Sequence, residues 1–273
     1  MKKDHQKQKN QKCNGLLTYD EHLEVLRQML FRIIIVVGLL SVAVFCFKDS
    51  VWKILLAPSE WDFCTYVIIE NVLRKIGINF RFDEFYVDMI ATDLSSQFMT
   101  HVTTSIYLGL LGTSPYILYE IFHFISPALY DNERNYSLWV IGIVYNLFVL
   151  GVLMSYFILF PISFRFLGTY SVAPKIISNI TLDSYIDTFL SLTLIMGIVF
   201  QLPVISFCLG KLGLLNSEIL TYYRKHSFLI IMLVAAIITP PDIMTLILVT
   251  IPLYILYEIS IKVLEIIENR REQ

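Results

Sequence analysis

Apolar residues gather into six long runs along this chain, at roughly 31–47, 101–123, 137–160, 189–209, 227–239 and 243–260. Runs of this length, almost free of charge, predict helices that cross a bilayer rather than one buried core. With a rise of about 1.5 Å per residue and a hydrocarbon layer of about 30 Å, the second, third and fourth are long enough. The fifth, Ser227 to Thr239, reaches only about 20 Å. Pro240-Pro241 then stops it, since proline lacks a backbone donor and restricts the residue before it. The last two runs fit either two short spans or one re-entrant hairpin, and both return the chain to the same side.

The polar segments between the runs are short except for 48–100, the one extended soluble element. Within it, Thr65 to Ile76 alternates apolar and charged residues at helical spacing. Such a helix either lies on the membrane surface or packs as a cap over the helix ends. Residues 79–90 follow no regular pattern. No internal repeat is visible, so the usual sequence pointer to a secondary transporter is missing. The chain reads as an N-terminal segment, 1–30, a membrane domain, 31–260, and a C-terminal tail, 261–273. Because residues 1–30 are polar and basic, the first run reads as a permanent span rather than a cleavable leader.

Lysine and arginine set the orientation. They number seven in 1–32, one in 124–136, three in 210–226 and three in the tail. The other side holds two in 161–188, none at 240–242, and five in the long loop, which bears little on orientation. Both termini, and the loop after the second span, are therefore expected in the cytoplasm. Composition agrees with a membrane protein: 56% of residues are hydrophobic, 16% charged, and mean hydropathy is +0.65. A soluble domain carries about 25% charged residues. A net charge of -2 gives no electrostatic footprint for nucleic acid. Cys13, Cys46, Cys64 and Cys208 have no metal-ligand spacing and form no disulfide framework.

Polar residues inside apolar runs are costly, so each calls for a role. Gln201, in Phe200-Gln-Leu-Pro203, fits an interhelical hydrogen bond that also serves carbonyls freed by the proline kink, or a polar contact for a partner helix. Asn146 fits a plain helical hydrogen bond. Glu120 and His123 share a face, where they either pair or are solvated at headgroup level. Glu258 and Lys262 have the spacing of an interfacial ion pair, and Asp242 that of a helix cap. Glu133 either caps the third span, pairs with Arg134, or receives a cationic partner. No H-E-x-x-H, G-x-S-x-G or Gly-rich phosphate loop is present, and the five histidines are scattered. The expectation is a protein that is not an enzyme and needs no cofactor.

Several motifs occur in an order that resembles the C subunit of the twin-arginine protein translocase. They are His22-Leu23 with Leu26-Arg27 before the first span, Ala57-Pro58, Thr92-Asp93 with Phe98, and Ser114-Pro115-Tyr116 with Tyr119. The most specific stretch is Phe124-Ile-Ser-Pro127-Ala-Leu-Tyr130 with Glu133-Arg134. Phe160-Pro161, Phe200-Gln-Leu-Pro203, Thr239-Pro-Pro-Asp242 and Pro252 with Tyr257-Glu258 complete the set.

The resemblance implies an all-α membrane protein of six spans in a concave bundle, with short fifth and sixth spans. It also implies a bacterial inner-membrane receptor that binds twin-arginine signal peptides of folded precursors on the cytoplasmic side. Its partners would be small single-span subunits, further copies of itself and the bilayer, with transport driven by the proton-motive force. A solute transporter or a membrane scaffold is the alternative. The implied peptide site comprises Glu133, Arg134, Phe124, Pro127, Tyr130, Arg27 and a second carboxylate. The family pattern His-Leu-x-Glu-Leu-Arg reads His22-Leu23-Glu24-Val25-Leu26-Arg27 here, so the glutamate is shifted by about 100° around a helix. Glu24 and Glu21 are both candidates for that acceptor. Gln201 and Pro203 match the family's partner-helix contact, and Pro58, Asp93, Asp242 and Glu258 its structural motifs.

Overall fold

The computed structural model describes residues 19–78, 85, 88–129, 134–171, 173, 179–239 and 242–272. These are almost entirely helical. α1 (Tyr19–Cys46) leads into α2 (Lys48–Leu56), a 3₁₀ turn at Ala57–Ser59 and α3 (Cys64–Lys75). After β1 (Met89–Ile90) come α4 (Ser96–Leu129) and α5 (Arg134–Met154). A π turn at Ser155–Leu159 passes without a break into α6 (Phe160–Thr169). β2 (Ile180–Thr181) precedes α7 (Leu182–Val199) and α8 (Leu202–Lys211). α9 (Ser217–Tyr222), α10 (Arg224–Ile238) and α11 (Ile243–Glu272) close the chain.

Among the described residues, four helical stretches are long and apolar enough to cross a membrane: Leu23–Cys46, Val140–Thr169, Leu182–Lys211 and Ile243–Asn269. The second span expected at 101–123 lies within the 34 residues of α4. The fifth lies within the 15 residues of α10, about 22 Å long. α1 and α11 carry the chain unbroken across the boundaries drawn at 30 and 260, because nothing in the sequence there opposes a helix.

Close backbone approach organises the packing. A Cβ placed on Gly109 of α4 would lie 2.1 Å from Ser41 Oγ and 2.9 Å from the Ser41 backbone of α1. One on Gly151 of α5 would lie 2.6 Å from the Met196 carbonyl of α7. Small residues bring helices this close where the surrounding lipid offers no hydrophobic drive toward association.

The third apolar run continues past Phe160-Pro161, where a loop was expected, to Thr169. Pro161 has no N–H, so the Phe157 carbonyl loses its helical partner. The chain absorbs this with the π turn, in which the Phe160 N–H reaches the Ser155 carbonyl. The freed Phe157 carbonyl instead accepts a hydrogen bond from the Thr65 hydroxyl of α3. Tyr66 next to it donates to the Pro161 carbonyl at 2.8 Å. The loop 48–100 thus repairs a defect in a helix far away in sequence. Around this joint, Phe63, Tyr66, Phe85, Phe160, Phe164, Tyr185 and Phe189 form a buried aromatic cluster with edge-to-face contacts near 5–6 Å. Arg165 stacks over Tyr66 and Phe85, 5.0 and 4.6 Å from the ring centres. β1 pairs in parallel with β2, and Asp183 of α7 accepts from Ser96 and Thr100 of α4. These contacts hold the loops together at the end of the bundle away from the N terminus.

Candidate functional site

At the N-terminal end of the bundle, α1 and α4 pack side by side in opposite directions. Arg32 is the lone cation at the start of the first apolar run. Its guanidinium lies 3.4 Å from the Glu120 carboxylate of α4, which also accepts from Tyr116 Oη at 2.7 Å. The Glu120 side chain is only 8% exposed and Arg32 is 56% exposed. Glu120 is therefore not simply solvated at headgroup level, and it takes a cation from another helix; the side chain of His123 lies outside the described residues. No periodicity within the second run could have signalled this. A lone arginine at a span start, opposite a lone glutamate at the end of the next, was the available clue.

The pair sets a register. Glu24 lies eight residues before Arg32, about 12 Å along α1, and Leu129 lies nine after Glu120, about 13.5 Å along α4. Since the helices are antiparallel, both distances run the same way, and Glu24 stands level with the point where the chain leaves α4. Glu24 is half-exposed and is engaged within its own helix, by Arg27 at 2.9 Å and Gln28 at 3.2 Å. An exposed pair of this kind contributes about 0.2–1 kcal/mol, so the carboxylate is easily released to another arginine. Phe124, one turn beyond Glu120, is half-buried. Tyr130 and Glu133 lie outside the described residues. Of Glu21, Pro127 and Arg134 only the helical backbone is described, in α1, α4 and α5.

A second polar feature sits deeper. α7 breaks at Phe200-Gln201, and α8 restarts with Pro203 in its first turn. Gln201 is buried and donates Nε2 to the Val144 carbonyl of α5 at 3.2 Å. The expected interhelical bond is present, but it serves the neighbouring helix rather than a carbonyl freed by Pro203. Gln201 Oε1 is buried with no hydrogen-bond partner among the described residues. Such an atom costs about 1–3 kcal/mol. Pro203 is buried. Asn146 bonds back to the Gly142 carbonyl within α5.

The remaining motif residues hold the frame. Pro58 is buried in the 3₁₀ turn, and its carbonyl accepts from Tyr66 Oη at 3.3 Å. Asp93 is exposed, and its carbonyl receives the Ser96 N–H at the start of α4. Asp242 caps α11 by accepting the Thr245 N–H at 2.7 Å. Glu258 corrects the sequence reading. Its ion partner is Arg224 of α10 at 2.9 Å, not Lys262, because antiparallel packing of α10 on α11 offers a cation with better geometry. Further along α11, Glu268 receives the Ser217 N–H and hydroxyl at the start of α9.

The family described as Sec-independent protein translocase protein (TatC) matches residues 21–252. This chain belongs to the TatC family. It is 34% identical over 245 residues to the TatC of Blattabacterium sp. subsp. Periplaneta americana, covering 88% of this chain and 92% of that protein. Against the TatC of Desulforapulum autotrophicum it is 34% identical over 243 residues, covering 89% and 82%. The crystal structure of the twin arginine translocase receptor TatC superposes with a TM-score of 0.72 at 31% identity, over 91% of this chain and 100% of the other. A second structure of that receptor, in DDM, gives 0.71 at 32% identity. As a TatC-family member the chain is a membrane protein and a component of a Sec-independent protein translocase.

Proposed function

We propose that this chain is the receptor core of twin-arginine translocation in a bacterial inner membrane. It would cross that membrane six times with both termini in the cytoplasm. In this reading the signal peptide's paired arginines are held at the N-terminal end of the bundle by Glu133 and by Glu24, with Glu21 as the competing second acceptor. Phe124, Pro127 and Tyr130 flank the peptide, and Arg27 and Arg134 stand beside the carboxylates in sequence. A guanidinium is planar and forked, and carboxylates accept it in bidentate fashion, which lysine cannot reproduce. Near the headgroups the effective dielectric falls below that of water, and such pairs gain strength.

The observation that supports this reading is the Arg32–Glu120 register, which sets an accessible carboxylate level with the end of α4 at Leu129, four residues before Glu133 in sequence. Gln201 supports a contact with a small single-span partner subunit of the TatA or TatB type. Its unpaired Oε1 calls for a donor such as a hydroxyl, an amide or a protonated carboxyl. Glutamine has no titratable proton, so the coupling to the proton-motive force is not a relay through this side chain.

The test is photo-crosslinking from a probe at position 130, in native membranes, to signal peptides bearing Arg-Arg or Lys-Lys. Labelling is expected only with Arg-Arg, and is expected to fall with Glu133→Ala. Glu24→Ala should weaken it more than Glu21→Ala. Equal labelling by both peptides, unchanged by Glu133→Ala, sinks the site.

A further inference from the structure

One flank of α3 is apolar and uncovered. On a helical wheel, Ile68, Val72, Ile76, Ile69, Leu73 and Tyr66 fall in one continuous arc of about 160°. Glu70, Arg74, Asn71 and Lys75 occupy the opposite side, with Val67 among them. The protein covers only part of the apolar arc: Tyr66 is buried, and Ile69 and Leu73 are half-buried. Ile68, Val72 and Ile76 remain 59%, 50% and 69% exposed. A soluble loop with nothing to bury has no reason to place three β-branched residues on one stripe.

The depth of α3 identifies what covers the stripe. Its first turn is bonded to the Phe157 and Pro161 carbonyls of the α5–α6 stretch. A helix entering hydrocarbon where the third apolar run begins, near residue 137, leaves it about 20 residues later, which is the level of those two carbonyls. Phe157 and Ile158, exposed on the outside of that stretch, continue the apolar surface onto α3. Phe63, just before α3, stacks on Phe157 at 6.0 Å, and Trp61 beside it is 43% exposed. An indole at this depth suits the interfacial belt.

We propose that α3 is an interfacial anchor. It lies flat at the headgroup–acyl boundary of the leaflet opposite the N terminus, with Ile68, Val72 and Ile76 inserted among lipid chains. The bilayer thereby becomes a partner of the long loop and presses Thr65 and Tyr66 onto the proline joint of α5–α6. This goes beyond the receptor reading and does not depend on Glu133 or Glu24.

The experiment uses the full chain with Cys13, Cys46, Cys64 and Cys208 replaced by serine. It is reconstituted in vesicles of phosphatidylcholine and phosphatidylglycerol. Single nitroxide labels are introduced through Ile68→Cys, Val72→Cys, Ile76→Cys and Asn71→Cys, all at exposed positions, of which Asn71 loses only a surface hydrogen bond from Arg74. Collision with oxygen is compared with collision with a water-soluble nickel chelate. Labels at 68, 72 and 76 are expected to favour oxygen and to read a common depth about 5–10 Å below the headgroup surface; the label at 71 is expected to favour nickel. Nickel access at all four positions overturns the proposal. So does a depth that steps by about 6 Å per turn from 68 to 76, which would mean a helix standing upright. Shielding from both reagents that fades as protein is diluted into more lipid also overturns it, assigning the stripe to a second copy of the chain.

Discussion

Glu120 shows how one buried carboxylate can fix the geometry of a site it does not belong to. It touches Arg32 and Tyr116, and through Arg32 it sets where Glu24 stands. Removing Arg32 leaves a nearly buried charge whose remaining partner among the described residues is the Tyr116 phenol. Arg32→Gln is expected to destabilise the protein by about 1–3 kcal/mol, read as thermal unfolding in detergent. Glu120→Gln alone should cost a similar amount. The double variant should cost less than the two together, with a coupling of about 0.5–3 kcal/mol; strict additivity would mean that the pair sets no register. Gln201 makes the complementary case, because its carbonyl oxygen lacks a partner among the described residues. Gln201→Leu should cost the isolated protein about 1 kcal/mol through the lost bond to Val144, yet remove most crosslinking to a single-span partner subunit at that depth. A loss of stability with partner crosslinking intact would assign Gln201 to the frame alone.

Proline in a spanning helix is tolerated only if something else satisfies the carbonyl it frees. In the α5–α6 element that something is Thr65, which belongs to a loop helix more than 90 residues earlier. Thr65→Val is therefore expected to cost about 1–3 kcal/mol. In a Pro161→Ala background the cost should shrink, since the restored N–H at 161 can reach the Phe157 carbonyl itself. An unchanged cost in that background would show that Thr65 acts through packing instead. The amphipathic stretch Thr65 to Ile76 was legible as a helix, and α3 spans Cys64–Lys75. Whether it capped the bundle or lay on the membrane was open in the sequence. Its first turn does the former, and the bare stripe beyond it motivates the latter.

Across the whole molecule, interhelical closeness replaces a water-driven core. Gly109 sits where α1 and α4 nearly touch, so Gly109→Val has no room to be accommodated by a side-chain shift: the nearest obstacle includes Ser41 backbone. Overpacking of this kind costs about 1–3 kcal/mol. It should also break the register between α1 and α4, so signal-peptide crosslinking from position 130 is expected to fall along with thermal stability. Retained crosslinking would mean that the site does not depend on the α1–α4 approach.

What the sequence determined by itself follows from local chemistry. Charge-free runs set where helices form, lysine and arginine placement sets an expected sidedness, and Asp242 three residues before Thr245 sets a cap. The ordered motifs from His22 to Glu258 were enough to suggest the family. What only the tertiary structure decided is which side chains meet across helices. Glu258 took Arg224 over Lys262, Glu120 took Arg32, Gln201 served Val144, and Pro161 was carried within a helix by a hydroxyl from a distant loop. Each pairing depends on the axial register and rotation of two helices. Those are fixed by close contacts such as Gly109 on Ser41, and a one-dimensional pattern of polar and apolar residues does not encode them.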